Sequence, residues 1–168
     1  MNSRRARDIF VFGAALVVLA ADQLSKHWVR QHLLPAVPWN PTPWLRPIMS
    51  FTFVTNTGGS FGLFPQLSWF YTLVAIVVTA FIILFYRRFP IDHWLLAVSL
   101  GMQLGGALGN LVDRLWHGQV IDFIDLNFWP MHEWPVFNIA DSSLVVGVCI
   151  MVIYMLFREK ALSKASEA

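Results

Sequence analysis

Charge and cysteine are the two things this chain has least of. Only 13% of its 168 residues are Asp, Glu, Lys or Arg, and 57% are hydrophobic; an ordinary soluble domain carries about 25% charge. A water-soluble fold of this length would have to expose large apolar patches. Hydrocarbon surroundings remove that difficulty. The single cysteine, Cys149, excludes an intramolecular disulfide and any CxxC metal or redox site. Set in an apolar run, it reads as a small buried residue. The five histidines (His27, His32, His93, His117 and His132) show no H-E-x-x-H or comparable ligand spacing, so neither a metal site nor a metalloprotease is supported. No cofactor motif is present. The formal charge of +2 comes without a basic stripe or interleaved aromatics, so nucleic acid is not an expected partner.

What the chain does have is four apolar stretches. A bilayer core of about 30 Å needs about 20 helical residues, and the stretches at about 9–29, 67–85, 94–112 and 136–157 meet that length. The first carries Asp22 and Lys26 near its end, the fourth carries Asp141, and the second and third carry no charge. Arg4, Arg5 and Arg7 ahead of the first span suit a signal peptide, but three further spans make it an uncleaved anchor. Arg4, Arg5, Arg7, Arg87, Arg88, Arg158, Lys160 and Lys164 fall on one side of a four-span arrangement. The positive-inside rule therefore places both termini in the cytoplasm and the two longer connections outside. Those connections contain strand signals at Met49–Thr55 and Val120–Phe128, the first ending in the turn Asn56-Thr57-Gly58-Gly59. The stretch from Pro35 to Pro47, with Trp39 and Trp44, reads as an irregular interfacial segment. The expected fold is a membrane all-α domain spanning residues 1–168, with a small β-sheet cradle at the outer surface.

Ionisable residues at membrane depth are costly and mark candidate sites. Asp22, Lys26, Asp113, Arg114, Asp122 and Asp141 come from four separate pieces of chain, yet all fall near the outer ends of spans. Asn110-Leu-Val-Asp113 and Asn138-Ile-Ala-Asp141 each set an amide and a carboxylate three residues apart, on one helix face. Gly101, Gly105 and Gly109 recur at four-residue steps, a pattern that lets a neighbouring helix approach closely. Two carboxylates sharing one proton could hydrolyse a peptide, the ionised one activating water and the protonated one polarising the carbonyl. Asp141 is one candidate. Its partner comes from Asp122 or Asp125, which a strand points to opposite faces, so only one can join.

Five blocks carry a resemblance: Asp22-Gln-Leu-Ser-Lys26, Asn56-Thr-Gly-Gly-Ser-Phe61, Gly105-Gly-Ala-Leu-Gly-Asn-Leu-Val-Asp-Arg114, Val120-Ile-Asp-Phe123 and Phe137-Asn-Ile-Ala-Asp-Ser142. In this order, from first span to last, the chain resembles the lipoprotein signal peptidases, or signal peptidase II. The resemblance implies an aspartyl endopeptidase of the bacterial inner membrane with its site on the periplasmic side. It would remove signal peptides from prolipoproteins on the amino side of a diacylglyceryl-modified cysteine. It assigns the catalytic pair to Asp122 and Asp141, and site-shaping or substrate-binding positions to Asn56, Asn110, Arg114 and Asn138. Asp22 and Lys26 match an orienting motif, and Asp125 lies outside the pattern. No cofactor is implied, and globomycin-type inhibitors are implied as ligands. Gly58-Gly59-Ser60 departs slightly from the commoner form with alanines.

Blander readings stand beside these. Asp22 and Lys26 suit a helix-face ion pair, and Asp113 with Arg114 suits a structural pair at the membrane surface. Gly58-Gly59-Ser60-Phe61-Gly62 matches a serine-hydrolase elbow but lacks its strand–helix setting and a histidine partner. A small channel or proton-coupled carrier is the alternative of another class, since membrane acids also mark ion paths. A non-enzymatic lipid-binding subunit is the third.

Overall fold

The computed structural model describes residues 4–58, 68–88, 91 and 93–166, with side chains to residue 158. Its helices are α1 (Arg4–His32), α2 (Ser68–Phe85), α3 (Trp94–His117) and α4 (Ile139–Ser166). Between them lie β1 (Met49–Asn56) and β2 (Val120–Leu126), paired antiparallel as a two-stranded sheet. All four helices are long and apolar enough to cross a membrane.

The helix ends differ from the apolar runs, because polar caps and not hydropathy terminate helices. α3 continues past Val112 through Asp113 and Arg114 and stops at Gly118, where φ is +70° and the N–H donates to Arg114 O at 3.0 Å. α4 starts three residues later than Val136. Phe137 is instead held extended, donating to Ile124 O at 3.0 Å and accepting from Ile124 N at 2.7 Å. The expected start of α2 at Leu67, and Gly59 to Gly62 of the elbow-like segment, lie outside the described residues.

α3 is the central helix, packed against α1, α2 and α4. Small residues make the approach possible. A Cβ on Gly105 would lie 2.6 Å from Ala15 O of α1, and one on Gly106 would collide with Ala140 O of α4. Val11, Ala15, Ile82, Ala97, Leu100 and Leu104 fill the space between α1, α2 and α3. The outward faces carry Leu16, Val77 and Phe157, each more than half exposed, as a lipid-facing surface requires. Cys149 also lies on that surface and is not buried, which corrects the sequence reading. Chain position on α4 decides this, since an apolar run does not say which of its faces meets lipid.

The sheet sits over one end of the bundle. Val29 and Leu33 from the end of α1 pack with Ile121 and Phe123 of β2, joined by Phe51 and Phe53 of β1. The opposite face of β1 is polar yet buried: Ser50 donates to Asn40 Oδ1 at 3.2 Å and Thr52 donates to Asp125 Oδ2 at 2.7 Å. The segment after Pro35 is irregular, as expected, and is tied to β1 by bridges from Pro35 to Phe53 and Trp39 to Phe51.

Candidate active site

β2 delivers Asp122 to the top of the bundle, opposite Val54 of β1. Asp125, three residues on, points away to Thr52, so of the two acids that alternation separates it is Asp122 that faces the site. α4 delivers Asp141 from its first turn. Asn138 is the N-cap of this helix: its Oδ1 accepts the Asp141 N–H at 2.9 Å, while Asp141 Oδ2 accepts the Asn138 N–H at 3.3 Å. This reciprocal pair is a capping box with Asp in the acidic position. Asn138 and Asp141 therefore do not share a helix face as their spacing predicts, because the amide stands just outside the helix.

Asn138 also joins the two acids. Its Nδ2 donates to Asp122 Oδ1 at 2.7 Å, and the same nitrogen lies 3.1 Å from Asn110 Oδ1. Asn110 in turn donates through Nδ2 to Asp141 Oδ1 at 2.7 Å. The other Asp122 oxygen accepts from Asn56 Nδ2 at 3.1 Å. Asn56 is held for this task because its Oδ1 accepts the Gly58 N–H at 2.9 Å. Each aspartate thus has an N–H donor on both oxygens, and neutral amides supply most of them.

Those donors favour the ionised form, but burial opposes them. Asp122 is only 3% exposed. Loss of water raises its carboxyl, and the negative charge of Asp141 raises it further, to about 7. The amides of Asn56 and Asn138 and the charge of Lys26 act in the other direction and do not win. A carboxyl poised near neutrality beside a second acid is the arrangement that general acid–base chemistry needs.

Beneath the pair lies a buried ionic cluster. Lys26 Nζ stands 2.8 Å from Asp22 and 2.9 Å from Asp113, and none of the three side chains is more than 2% exposed. The i,i+4 pair of α1 is therefore real, but it is not a surface contact. Asp22 also accepts the Ala140 N–H at 2.9 Å, and Asp113 accepts the Ile121 N–H at 3.1 Å. The acids of α1 and α3 so fasten the residues immediately before Asp141 and Asp122. The expected Asp113–Arg114 pair does not form. Successive helical residues point about 100° apart, so Asp113 turns inward to Lys26 while Arg114 reaches Gly58 O and Asn110 O, each at 3.4 Å. Gln23 escaped the sequence reading. Its amide touches Asp22, Asp113 and Gly109 O, each at 3.2 Å, and its place in the Asp22–Lys26 block was the available signal.

A cavity of about 370 Å³ opens over the pair, within the range of ligand sites. Asp122, Asp141, Asn110 and Arg114 form its polar floor, and Val145 and Val146 of α4 form an apolar wall. Fold and site together define a polytopic membrane protein with one buried and one half-buried acid on the floor of a partly apolar cleft.

The comparisons make that class specific. The model of the signal peptidase II family matches residues 14–157. The lipoprotein signal peptidase of Moorella thermoacetica is 43% identical over 82% of this chain and 86% of its own length. That of Teredinibacter turnerae is 39% identical over 89% and 88%. A solved bacterial membrane enzyme superposes with a TM-score of 0.74 at 28% identity, covering 85% of each chain. The chain belongs to the signal peptidase II family, a family of membrane proteases, and a bacterial multi-pass membrane location follows. The channel or carrier reading is not favoured.

Proposed function

We propose that this chain is a single membrane-embedded domain that removes signal peptides from prolipoproteins, cutting on the amino side of a diacylglyceryl-modified cysteine, with Asp122 and Asp141 as its catalytic pair. Both termini face the cytoplasm and the cleft opens on the periplasmic side. The basic residues at the end of the bundle remote from the sheet, Arg4, Arg5, Arg87 and Arg88, support that orientation. The substrate's acyl chains lie in lipid against the Val145–Val146 wall while its peptide crosses the polar floor.

The observation that carries the reading is that Asp122 and Asp141 are joined through Asn110 and Asn138 at the floor of one cavity, where burial and the neighbouring Asp141 raise the Asp122 carboxyl to about 7. Asp122 holds the shared proton and Asp141 is the acceptor. Water held between them loses a proton to Asp141 as its oxygen bonds to the scissile carbonyl carbon. Asp122 gives its proton to the carbonyl oxygen, leaving a tetrahedral diol. Return of the Asp141 proton to the peptide nitrogen, with loss of a diol proton to Asp122, breaks the C–N bond and restores the pair. Asn56, Asn110 and Asn138 hold the two carboxylates throughout. Arg114, at the cavity floor, is placed to contact the substrate main chain.

Purified protein in detergent, given matched precursors with and without the diacylglyceryl group, is expected to cut only the lipid-modified one. Only the singly protonated pair is active, so kcat/KM falls as pH rises through about 7 and Asp122 loses its proton. Equal cleavage of both precursors, or a rate still rising at pH values well above 7, contradicts the reading.

A further inference from the structure

The ionic cluster beneath the acids does more than brace helices. Lys26 has three N–H groups and three acceptors: Asp22 Oδ2 at 2.8 Å, Asp113 Oδ2 at 2.9 Å and Asn110 Oδ1 at 3.1 Å. An amide side chain has a donor end and an acceptor end of nearly equal shape, so packing alone does not decide which end faces a neighbour. An ammonium group only donates. At Asn110 it claims the oxygen, and the nitrogen is left facing Asp141 Oδ1 at 2.7 Å. Asn138 Nδ2 also reaches Asn110 Oδ1, at 3.1 Å, but more weakly. Its short bond is the one to Asp122 at 2.7 Å, and its remaining hydrogen is shared with Ile121 O at 3.2 Å.

We propose that Lys26 is a positioning residue which, by holding the oxygen of Asn110, presents an N–H to Asp141 and makes Asp141 the acceptor of the pair. Lys26 touches no substrate. It lies 2% exposed under the floor of the cleft, and its influence passes through one neutral side chain. Without it, only the shared N–H of Asn138 holds that oxygen, and Asn110 can turn it toward Asp141, where two acceptors would face each other. Among the described residues, the charged and titratable groups around the pair are Asp22 and Lys26 from α1, Asp113 and Arg114 from α3, and the two acids themselves from β2 and α4. β1 contributes the neutral Asn56. Tyr71 of α2 is near enough to Arg114 to act on its charge. Arg114 is the other cation, and its guanidinium is directed at main-chain oxygens of Asn110 and Gly58. Among the described residues, Lys26 is thus the cation whose hydrogen bond reaches Asp141 through the side chain of Asn110. The inference rests on the reading of Asp122 and Asp141 as the catalytic pair.

The test is a pH–rate profile of two variants, each checked for folding by thermal unfolding in detergent. Lys26→Met leaves Asp22 and Asp113 buried without a cation. Asp22→Asn/Lys26→Met, which removes one charge of each sign, is therefore measured beside it. The expected result is kcat lowered about tenfold with KM changed less than about threefold, and the acid-side limb moved up by about one pH unit, because the acceptor has lost a donor. A folded variant with both limbs at their parental positions overturns the proposal, even if its rate is uniformly lower. Unfolding of both variants overturns it too, by making the role of Lys26 purely structural. Asp122→Asn and Asp141→Asn in the parent separate the two levels. If either turns over normally, the catalytic reading itself fails. If both are inactive and the limbs stay put, only the role given to Lys26 fails.

Discussion

Asp141→Asn is expected to lower turnover of lipid-modified precursor by about a thousandfold or more, with substrate binding nearly intact. The replacement keeps size and shape, and an asparagine oxygen can still accept the Asn138 N–H in the capping box, so the start of α4 should survive. What is lost is the basicity needed to take a proton from water. Asp122→Asn is expected to fail for the complementary reason, since an amide nitrogen near the scissile carbonyl cannot surrender a proton to it. Asp125→Asn is the control. Its carboxylate meets the Thr52 hydroxyl on the other face of the sheet, and turnover should stay within about twofold of the parent. Single-turnover cleavage and binding of an uncleaved precursor analogue separate chemistry from affinity. Near-normal turnover in either dyad variant would remove the mechanism.

Gly105→Leu is expected to have the largest effect on folding. A Cβ there meets Ala15 O at 2.6 Å and Val18 Cβ at 2.8 Å, and a main-chain oxygen cannot swing aside as a flexible side chain can. α1 must therefore move off α3. Overpacking of this kind costs about 1–3 kcal/mol or more, and without water to drive the helices together, close packing is much of what associates them. The same displacement would draw Lys26 away from Asn110 and Asp113, so activity should fall with stability. Gly13→Ala in α1 is the matched control, because a Cβ at that position meets nothing within 4 Å. Thermal unfolding in detergent should show a large drop for Gly105→Leu and none for Gly13→Ala. Equal melting of the two would mean that small residues do not set the α1–α3 distance.

The parts of this molecule legible from its residues are those with a strong local cause. Four helices were readable because a bilayer demands about 20 apolar residues for each. Gly101, Gly105 and Gly109 announced a close helix contact by spacing alone. Strand alternation says that only one of Asp122 and Asp125 can join Asp141, and the family blocks were needed to say which. What stayed hidden depends on atoms brought together from distant parts of the chain. Lys26 and Asn110 are 84 positions apart, and nothing local says that their side chains meet. Asp113 and Arg114 looked like partners because they are adjacent; helical geometry sends them to different neighbours. The ends of α3 and α4 were misplaced because Gly118 and Asn138 act through cap geometry, which an apolar count ignores. Asn138 was the most readable of these misses, since an Asn-x-x-Asp spacing ahead of an apolar run is itself a capping signal.

One titration bears on the central claim more directly than any rate. Infrared difference spectroscopy of the folded protein, with aspartate carbons isotopically labelled, follows the protonated carboxyl band against pH. A band that disappears on passing through about pH 7 is expected from Asp122. It should be absent in Asp122→Asn, and in Asp141→Asn it should titrate at lower pH, because the neighbouring negative charge has been removed while burial remains. A carboxyl band that titrates near pH 7 but is unmoved by Asp141→Asn, or the lack of any such band in the parent protein, would contradict two acids sharing one proton.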